Sequence, residues 1–151
     1  MKRKINSRAK GAAGEREFCN ELADILGETL VAPLKRNLEQ TRIGGHDIVG
    51  LDGWAIEIKR YKTLTEGELK EFWQQAVDQA KRVNATPVLA YREDFRSWRV
   101  RIPMGFLSGT GLWIEDVDYT IEMSMVAFAT LVREHLHEAL QSNELPHKIA
   151  A

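Results

Sequence analysis

Gly44-Gly45-His46-Asp47-Ile48-Val49-Gly50, then Leu51-Asp52-Gly53, then Trp54-Ala55-Ile56-Glu57-Ile58-Lys59-Arg60 is the stretch on which the fold reading turns. Alternate side chains of a strand share a face, so Trp54, Ile56 and Ile58 point one way and Glu57 and Lys59 the other. Residues 47–50 and 54–60 read as two short strands around the Leu-Asp-Gly turn. Pairing Ile48 with Ile56 and Asp47 with Glu57 sets Asp47 beside Glu57 on one face, with Gly53 at positive φ in a three-residue loop. A register shifted by one would instead set Asp47 opposite Ile58 and Ile48 opposite Glu57, which the apolar pattern disfavours. Taken alone, the Glu57-x-Lys59 spacing is common and reads as an ordinary ion pair on a half-exposed strand. Gly-Gly-x-Asp ten residues upstream, together with a glutamate on the buried side of the first helix, tips the balance toward a site.

That glutamate is Glu15. A helix is expected over residues 9–26, ending at Gly27, with Phe18, Leu22, Ile25 and Leu26 as its apolar stripe. Glu15 lies three residues before Phe18 and seven before Leu22, so it shares their stripe and faces the sheet, whereas Glu17, Glu21, Asp24 and Glu28 follow a different, solvated stripe. A buried carboxylate without compensation costs several kcal/mol. A divalent ion shared with Asp47 and Glu57 would compensate, because Mg²⁺ prefers hard oxygen ligands and binds phosphate oxygens. Such a cluster suits phosphodiester hydrolysis: the ion polarises the phosphate, and Lys59 orients water or offsets charge in the transition state.

Downstream, Thr65 and Glu68 form a capping-box pattern opening a second helix, whose buried face is Leu69, Phe72, Trp73, Ala76, Val77, Ala80 and Val83. Residues 87–91 and 98–102 read as strands, the second alternating Trp98, Val100 and Ile102 inward with Arg99 and Arg101 outward. Those arginines are either DNA contacts or a solvated face. A last helix over residues 124–141 carries Met125, Phe128, Ala129, Val132, Leu136 and Leu140 on one side and packs on the core or on a second subunit. The order of elements defines an α/β domain.

At 151 residues, 44% hydrophobic and 28% charged, one domain with one core is expected. It divides into a flexible basic arm (1–8), a catalytic core (9–102) and a C-terminal extension with a strand and a helix (103–151). Residues 1–101 hold 19 Lys and Arg against 15 Asp and Glu, and residues 102–151 hold 2 against 7, so the polyanion-facing half is the first. Lys2, Arg3, Lys4, Arg8 and Lys10 precede any acid, which suits an arm that neutralises phosphates, or simply a solubilising terminus. No apolar run approaches the roughly 20 residues a bilayer requires and no signal-peptide core follows the N-terminus, so an intracellular protein with no membrane partner is expected. The lone Cys19 belongs to packing. His135 and His137 are two apart on a helix and do not chelate, and no P-loop, zinc pattern or Ser/His/Asp set occurs.

The motifs resemble the PD-(D/E)xK nuclease superfamily, and more narrowly the archaeal-type and phage-encoded Holliday junction resolvases. The matching text is Lys10-Gly11-Ala12-Ala13-Gly14-Glu15-Arg16-Glu17-Phe18, Gly45-His46-Asp47-Ile48-Val49, Ile56-Glu57-Ile58-Lys59 and the helix bearing Gln75 and Gln79, spanning residues 8–102. The resemblance implies a restriction-endonuclease-like α/β core with a central mixed sheet flanked by helices. It implies a homodimer that cuts four-way DNA junctions symmetrically with Mg²⁺, for which Mn²⁺ substitutes, in a host cytoplasm if phage-encoded. By position, Glu15, Asp47, Glu57 and the carbonyl of Ile58 become metal ligands and Lys59 the catalytic lysine. His46 stands where the motif's name has proline, a position that is not a ligand.

Beyond the arm, Arg16, Arg42, Arg60, Gln75 and Gln79 complete the expected DNA contacts, and the Gly44-Gly45 backbone near Thr41 and Arg42 allows close approach of a phosphate. A nuclease of the same type acting on other DNA, or an inactive DNA-binding protein of the same fold, are the alternatives. The apolar side of the last helix and the strand edges around 98–102 are the surfaces expected to serve a dimer.

Overall fold

Amphipathic segments of two periods, 3.6 and 2, account for the layers. The computed structural model describes residues 7–30, 33–38, 47–109 and 113–144, and side chains at 10–30, 33–38, 47–109 and 113–136. Helix α1 (Ser7–Leu26) buries Phe18, Cys19, Leu22 and Leu26 and stops where Gly27 takes φ +52°, the left-handed conformation glycine accepts without cost. Strands β1 (Lys35–Arg36) and β2 (Ile48–Val49) form an antiparallel pair. Then come β3 (Trp54–Tyr61), α2 (Glu66–Val83), β4 (Thr86–Glu93), β5 (Arg99–Pro103), β6 (Thr120–Ser124) and α3 (Met125–Glu144).

The main sheet has the order β3-β4-β5-β6, with β3 and β4 parallel and the remaining pairs antiparallel. Parallel neighbours need a crossover, and α2 provides it. Its start is fixed as expected: Thr65 Oγ1 accepts from the Glu68 N–H at 3.2 Å, and Glu68 Oε2 accepts from the Thr65 N–H at 2.8 Å. Phe72, Trp73, Ala76 and Val77 of α2 pack on Leu89 and Tyr91 of the sheet. The opposite face carries the larger core. There α1 and α3 cover Trp54, Ile56, Ile58, Val88, Ala90, Val100 and Ile102, and an edge-to-face contact of Phe18 with Trp98 at 5.2 Å joins α1 to the sheet. This is an α/β fold with a mixed sheet between helices.

The hairpin differs from its expectation. β2 is laddered to β1, and between residue 47 and β3 a single backbone bond runs from the Asp47 N–H to the Ile56 carbonyl at 2.8 Å, which matches neither register considered. The reason lies at Gly50, where φ is +116° and an added Cβ would stand 2.9 Å from the Pro33 carbonyl oxygen, so the chain turns against residues 33–34 instead of continuing along β3. Gly53 does adopt positive φ, +84°.

Two further placements alter the sequence reading. The apolar side of α3 (Met125, Phe128, Ala129, Val132) is buried in the chain's own core, and β5 lies inside the sheet, so neither is a free surface for a second copy. Arg99 and Arg101 point outward but are paired across the strands with Glu122 at 3.2 and 3.3 Å, because the β5–β6 register places Arg101 opposite it. Among the described residues no helix is long and apolar enough to cross a membrane.

Candidate active site

β3 is an edge strand of the main sheet, and its open edge is where the acidic side chains gather. Asp47 sits on that edge, 6% exposed, with Oδ2 accepting from the Ile58 N–H at 2.6 Å. Its carboxylate thus takes the place of the next backbone rung. Glu57 and Lys59, two residues apart on β3, share a face: Lys59 Nζ stands 2.9 Å from Glu57 Oε1 and 4.8 Å above the Phe72 ring of α2. Phe72 in turn stacks on Tyr61. Glu57 is 5% exposed and its Oε2 is buried with no hydrogen-bond partner among the described residues, which is not the state of a surface ion pair.

Glu15 approaches from α1. Gly14 brings the helix close to β3, since a Cβ there would lie 3.1 Å from Cβ of Arg60. Glu15 Oε2 pairs with Arg36 Nε of β1 at 2.7 Å. Glu15, Asp47, Glu57, Ile58 and Lys59 all line one cavity of about 270 Å³, whose rim includes Lys10, Gly11, Arg60 and Tyr61. The Ile58 side chain belongs to the core, so its backbone is what meets the cavity. A strand residue's N–H and C=O share an edge, and the Ile58 N–H faces Asp47; its carbonyl therefore opens on the same side. A larger hollow, about 470 Å³, is lined by Phe106, Trp113, Leu131, Glu134 and His135 and assembles no such chemistry.

Crowding the carboxylates has an electrostatic consequence. Burial, and then repulsion from Glu57, push the Asp47 acid from its ordinary 3.8 up to about 8, against the opposing pull of the Ile58 N–H and Lys59. Burial and nearby Glu15 raise the Cys19 thiol to about 11, which suits a packing residue. The donor set fits a hard divalent cation: two buried carboxylates, one with an unpartnered oxygen, beside a backbone carbonyl on the open edge. Among the described residues no three acidic, histidine or cysteine side chains converge into a complete metal-binding group, and Glu15 is turned to Arg36.

The other expected contacts are distributed unevenly. Lys10 pairs with Asp94 at 3.7 Å, and Arg60 lies 3.4 Å from Glu17 and 3.9 Å from Asp94, so both cations on the rim are partly neutralised. Arg16 is exposed, while Gln75 and Gln79 are half-buried and do not line the cavity. From α2 it is Phe72 that reaches Lys59. Lys2, Arg3, Lys4, Arg42, Gly44, Gly45 and His46, and the Arg8 side chain, lie outside the described residues. Glu17 does not belong to a solvated stripe: it is half-buried, 2.9 Å from Arg92, and accepts from Trp98 Nε1 at 3.2 Å. Arg36 and Phe72 were missed as site residues. The need of Glu15 for a counter-cation was the one signal pointing to an arginine, and nothing in the pattern said which.

An edge-strand Asp and Glu-x-Lys set, with a helix glutamate opposite, on a mixed sheet is the pattern of a PD-(D/E)xK nuclease, and the family comparison shows that type. The chain belongs to the family described as "Phage putative PDDEXK endonuclease", whose model matches residues 6–131. Among solved structures it is similar to Hjc of Archaeoglobus fulgidus, a Holliday junction resolvase from an archaeal hyperthermophile. Identity is 19% and the TM-score 0.45, over 82% of this chain and 95% of that one. No curated protein matches the sequence.

Proposed function

We propose that this nuclease hydrolyses phosphodiester bonds of four-way DNA junctions with Mg²⁺ and acts as a homodimer. The observation that carries the chemical part is the meeting of Glu15, Asp47, Glu57, Lys59 and the Ile58 backbone in one cavity on the open edge of β3. Asp47, Glu57 and the Ile58 carbonyl would hold the ion, with Glu15 joining them on release from Arg36. When bound, the ion supplies Lewis acidity at the phosphate.

The protein's own groups divide the remaining work. Lys59, held between Glu57 and the Phe72 face, presents an N–H donor to the attacking water or to the charge that develops on the phosphate oxygens. Its neighbours fix its position, so little reorganisation accompanies reaction. Arg36 neutralises Glu15 until substrate and cation arrive. Lys10 and Arg16, with the basic arm and Arg42, supply the phosphate-neutralising charge. Junction choice and the dimer rest on the sequence resemblance: paired nicks in strands related by two-fold symmetry need two sites, and a C2 dimer supplies them in matching orientation.

The test is cleavage of a synthetic four-way junction beside linear duplex of the same sequence, with and without Mg²⁺, and sedimentation of the protein at micromolar concentration. Symmetric cutting of the junction alone, by a dimer, supports the reading. Equal cutting of linear duplex would retain the nuclease and discard the junction, and cutting in EDTA would discard the metal.

A further inference from the structure

The hairpin joining β4 to β5 carries an anomaly that folding does not explain. Phe95, at its tip, is fully exposed at 104%, and its φ is +63°. The left-handed region is disfavoured for any residue with a Cβ and is a genuine outlier for a bulky one, and hairpin loops ordinarily place glycine or asparagine there. The fold thus holds an aromatic ring in solvent, in a strained conformation, where glycine would serve stability better. Strain of this kind, at a ring that contributes nothing to the core, points to use.

The location of the ring says what use. The Asp94 N–H donates to the Tyr61 carbonyl at 3.0 Å, and the Asp94 carboxylate faces Lys10 and Arg60, so the tip is anchored to three residues on the rim of the catalytic cavity. On the other side Arg92, itself paired with Glu17 of α1, donates to the Arg96 carbonyl at 3.4 Å. The tip is therefore tied to the two elements that carry Glu15, Glu57 and Lys59. Glu93 is level with Tyr61 at the end of the β3–β4 ladder, and Phe95 follows two residues on, in the turn. Arg96, next in sequence, is exposed and has no acidic partner among the described residues.

We infer that Phe95 is a base-stacking wedge that enters the branch point of the DNA substrate while Arg96 holds the adjoining phosphate. An exposed ring on a turn tied to the rim of the catalytic cavity, with an exposed arginine next in sequence, matches how proteins unstack and kink DNA with apolar wedges. A branch point is where such a wedge works best, because the base steps there are already imperfectly stacked. The inference rests on the nuclease reading above and specifies how that site selects branched DNA.

The experiment places 2-aminopurine at the centre of a four-way junction and titrates it with the full chain in EDTA, then follows junction cleavage in Mg²⁺. Wild type and Phe95→Trp raise the fluorescence on binding. Phe95→Ala and Phe95→Gly abolish the rise, weaken junction binding roughly 5- to 150-fold, and slow cleavage at least tenfold. Because the ring is solvent-exposed and strained, the melting temperature of Phe95→Ala stays level and that of Phe95→Gly stays level or rises, which separates loss of the wedge from misfolding. If wild type cuts junctions but Phe95→Ala binds with the same fluorescence rise and cuts as fast, the wedge is overturned and the nuclease stands. If wild type cuts no DNA, the nuclease reading falls, and the fluorescence arm still decides the wedge as a DNA contact. If Phe95→Ala alters sedimentation and leaves the fluorescence rise intact, the ring belongs to an interface between copies, and the wedge is again overturned.

Discussion

Asp47→Asn should stabilise this protein in the absence of divalent ions, and by an amount that grows with pH. The side chain is 6% exposed, feels Glu57 as its strongest charged neighbour, and accepts a compensating bond from the Ile58 N–H. Asparagine preserves the shape and the accepting oxygen and removes the charge. Relieving an under-compensated buried group is worth about 2 kcal/mol, the middle of the range for such groups. For a chain of this length that is a rise of about 4–8 °C in Tm. The acid is raised in the folded protein, from 3.8 to about 8, so the native state binds the proton more tightly than the unfolded chain. Wild-type stability therefore falls as pH rises from about 4 through about 8 and is lowest beyond it. The advantage of Asp47→Asn is accordingly small near pH 5 and complete by pH 9. Calorimetry from pH 5 to 9 in EDTA measures this. Millimolar Mg²⁺ should then narrow the gap at pH 9, because an ion that binds only the native wild type raises its Tm by mass action. A loss of stability on Asp47→Asn at pH 9, or a difference independent of pH, would refute the argument that the site is an electrostatic cost carried for a cation.

Glu57→Gln should lower junction cleavage by at least about 100-fold, the scale of a lost transition-state contact, with junction affinity within about threefold because phosphate neutralisation supplies the binding; gel shift and cleavage time courses separate the two. Gly14→Ala should leave Tm nearly unchanged, since alanine's helix propensity gains about 1 kcal/mol while the new methyl presses on Arg60 at 3.1 Å. The resulting displacement of Glu15 should slow cleavage about tenfold, and equal rates would mean that the close approach of α1 to β3 does not matter. Thr65→Ala should cost about 1 kcal/mol, or about 2–4 °C, with cleavage at 25 °C unaffected, because the capping box lies away from the cavity.

Much of the candidate site was readable from local patterning. Alternation over residues 54–60 placed Glu57 and Lys59 together because a strand's period is two, and both are where that period puts them. The capping box on α2 was readable because its two hydrogen bonds span three residues. Glu15 was separable from the other helix acids by its phase with Phe18 and Leu22. The same reasoning misplaced Glu17, whose phase looked solvated, because Arg60, Arg92 and Trp98 arrive over it from three different strands or strand ends.

Sequence by itself determined the periods, the helix ends at Thr65 and Gly27, and which carboxylates and lysine are the candidates, since each depends on residues within a few positions of one another. Tertiary structure alone decided that β2 pairs with β1, that Arg36 is the cation facing Glu15, that Phe72 rather than Gln75 or Gln79 faces Lys59, and that β5 is internal. It also decided that Phe95 stands in solvent with positive φ beside the rim of the cavity. Those facts depend on which edge or surface a segment meets after the chain has crossed the sheet. That choice is settled by the burial of the whole core and by close approaches such as Gly50 against Pro33, not by the pattern of any one segment.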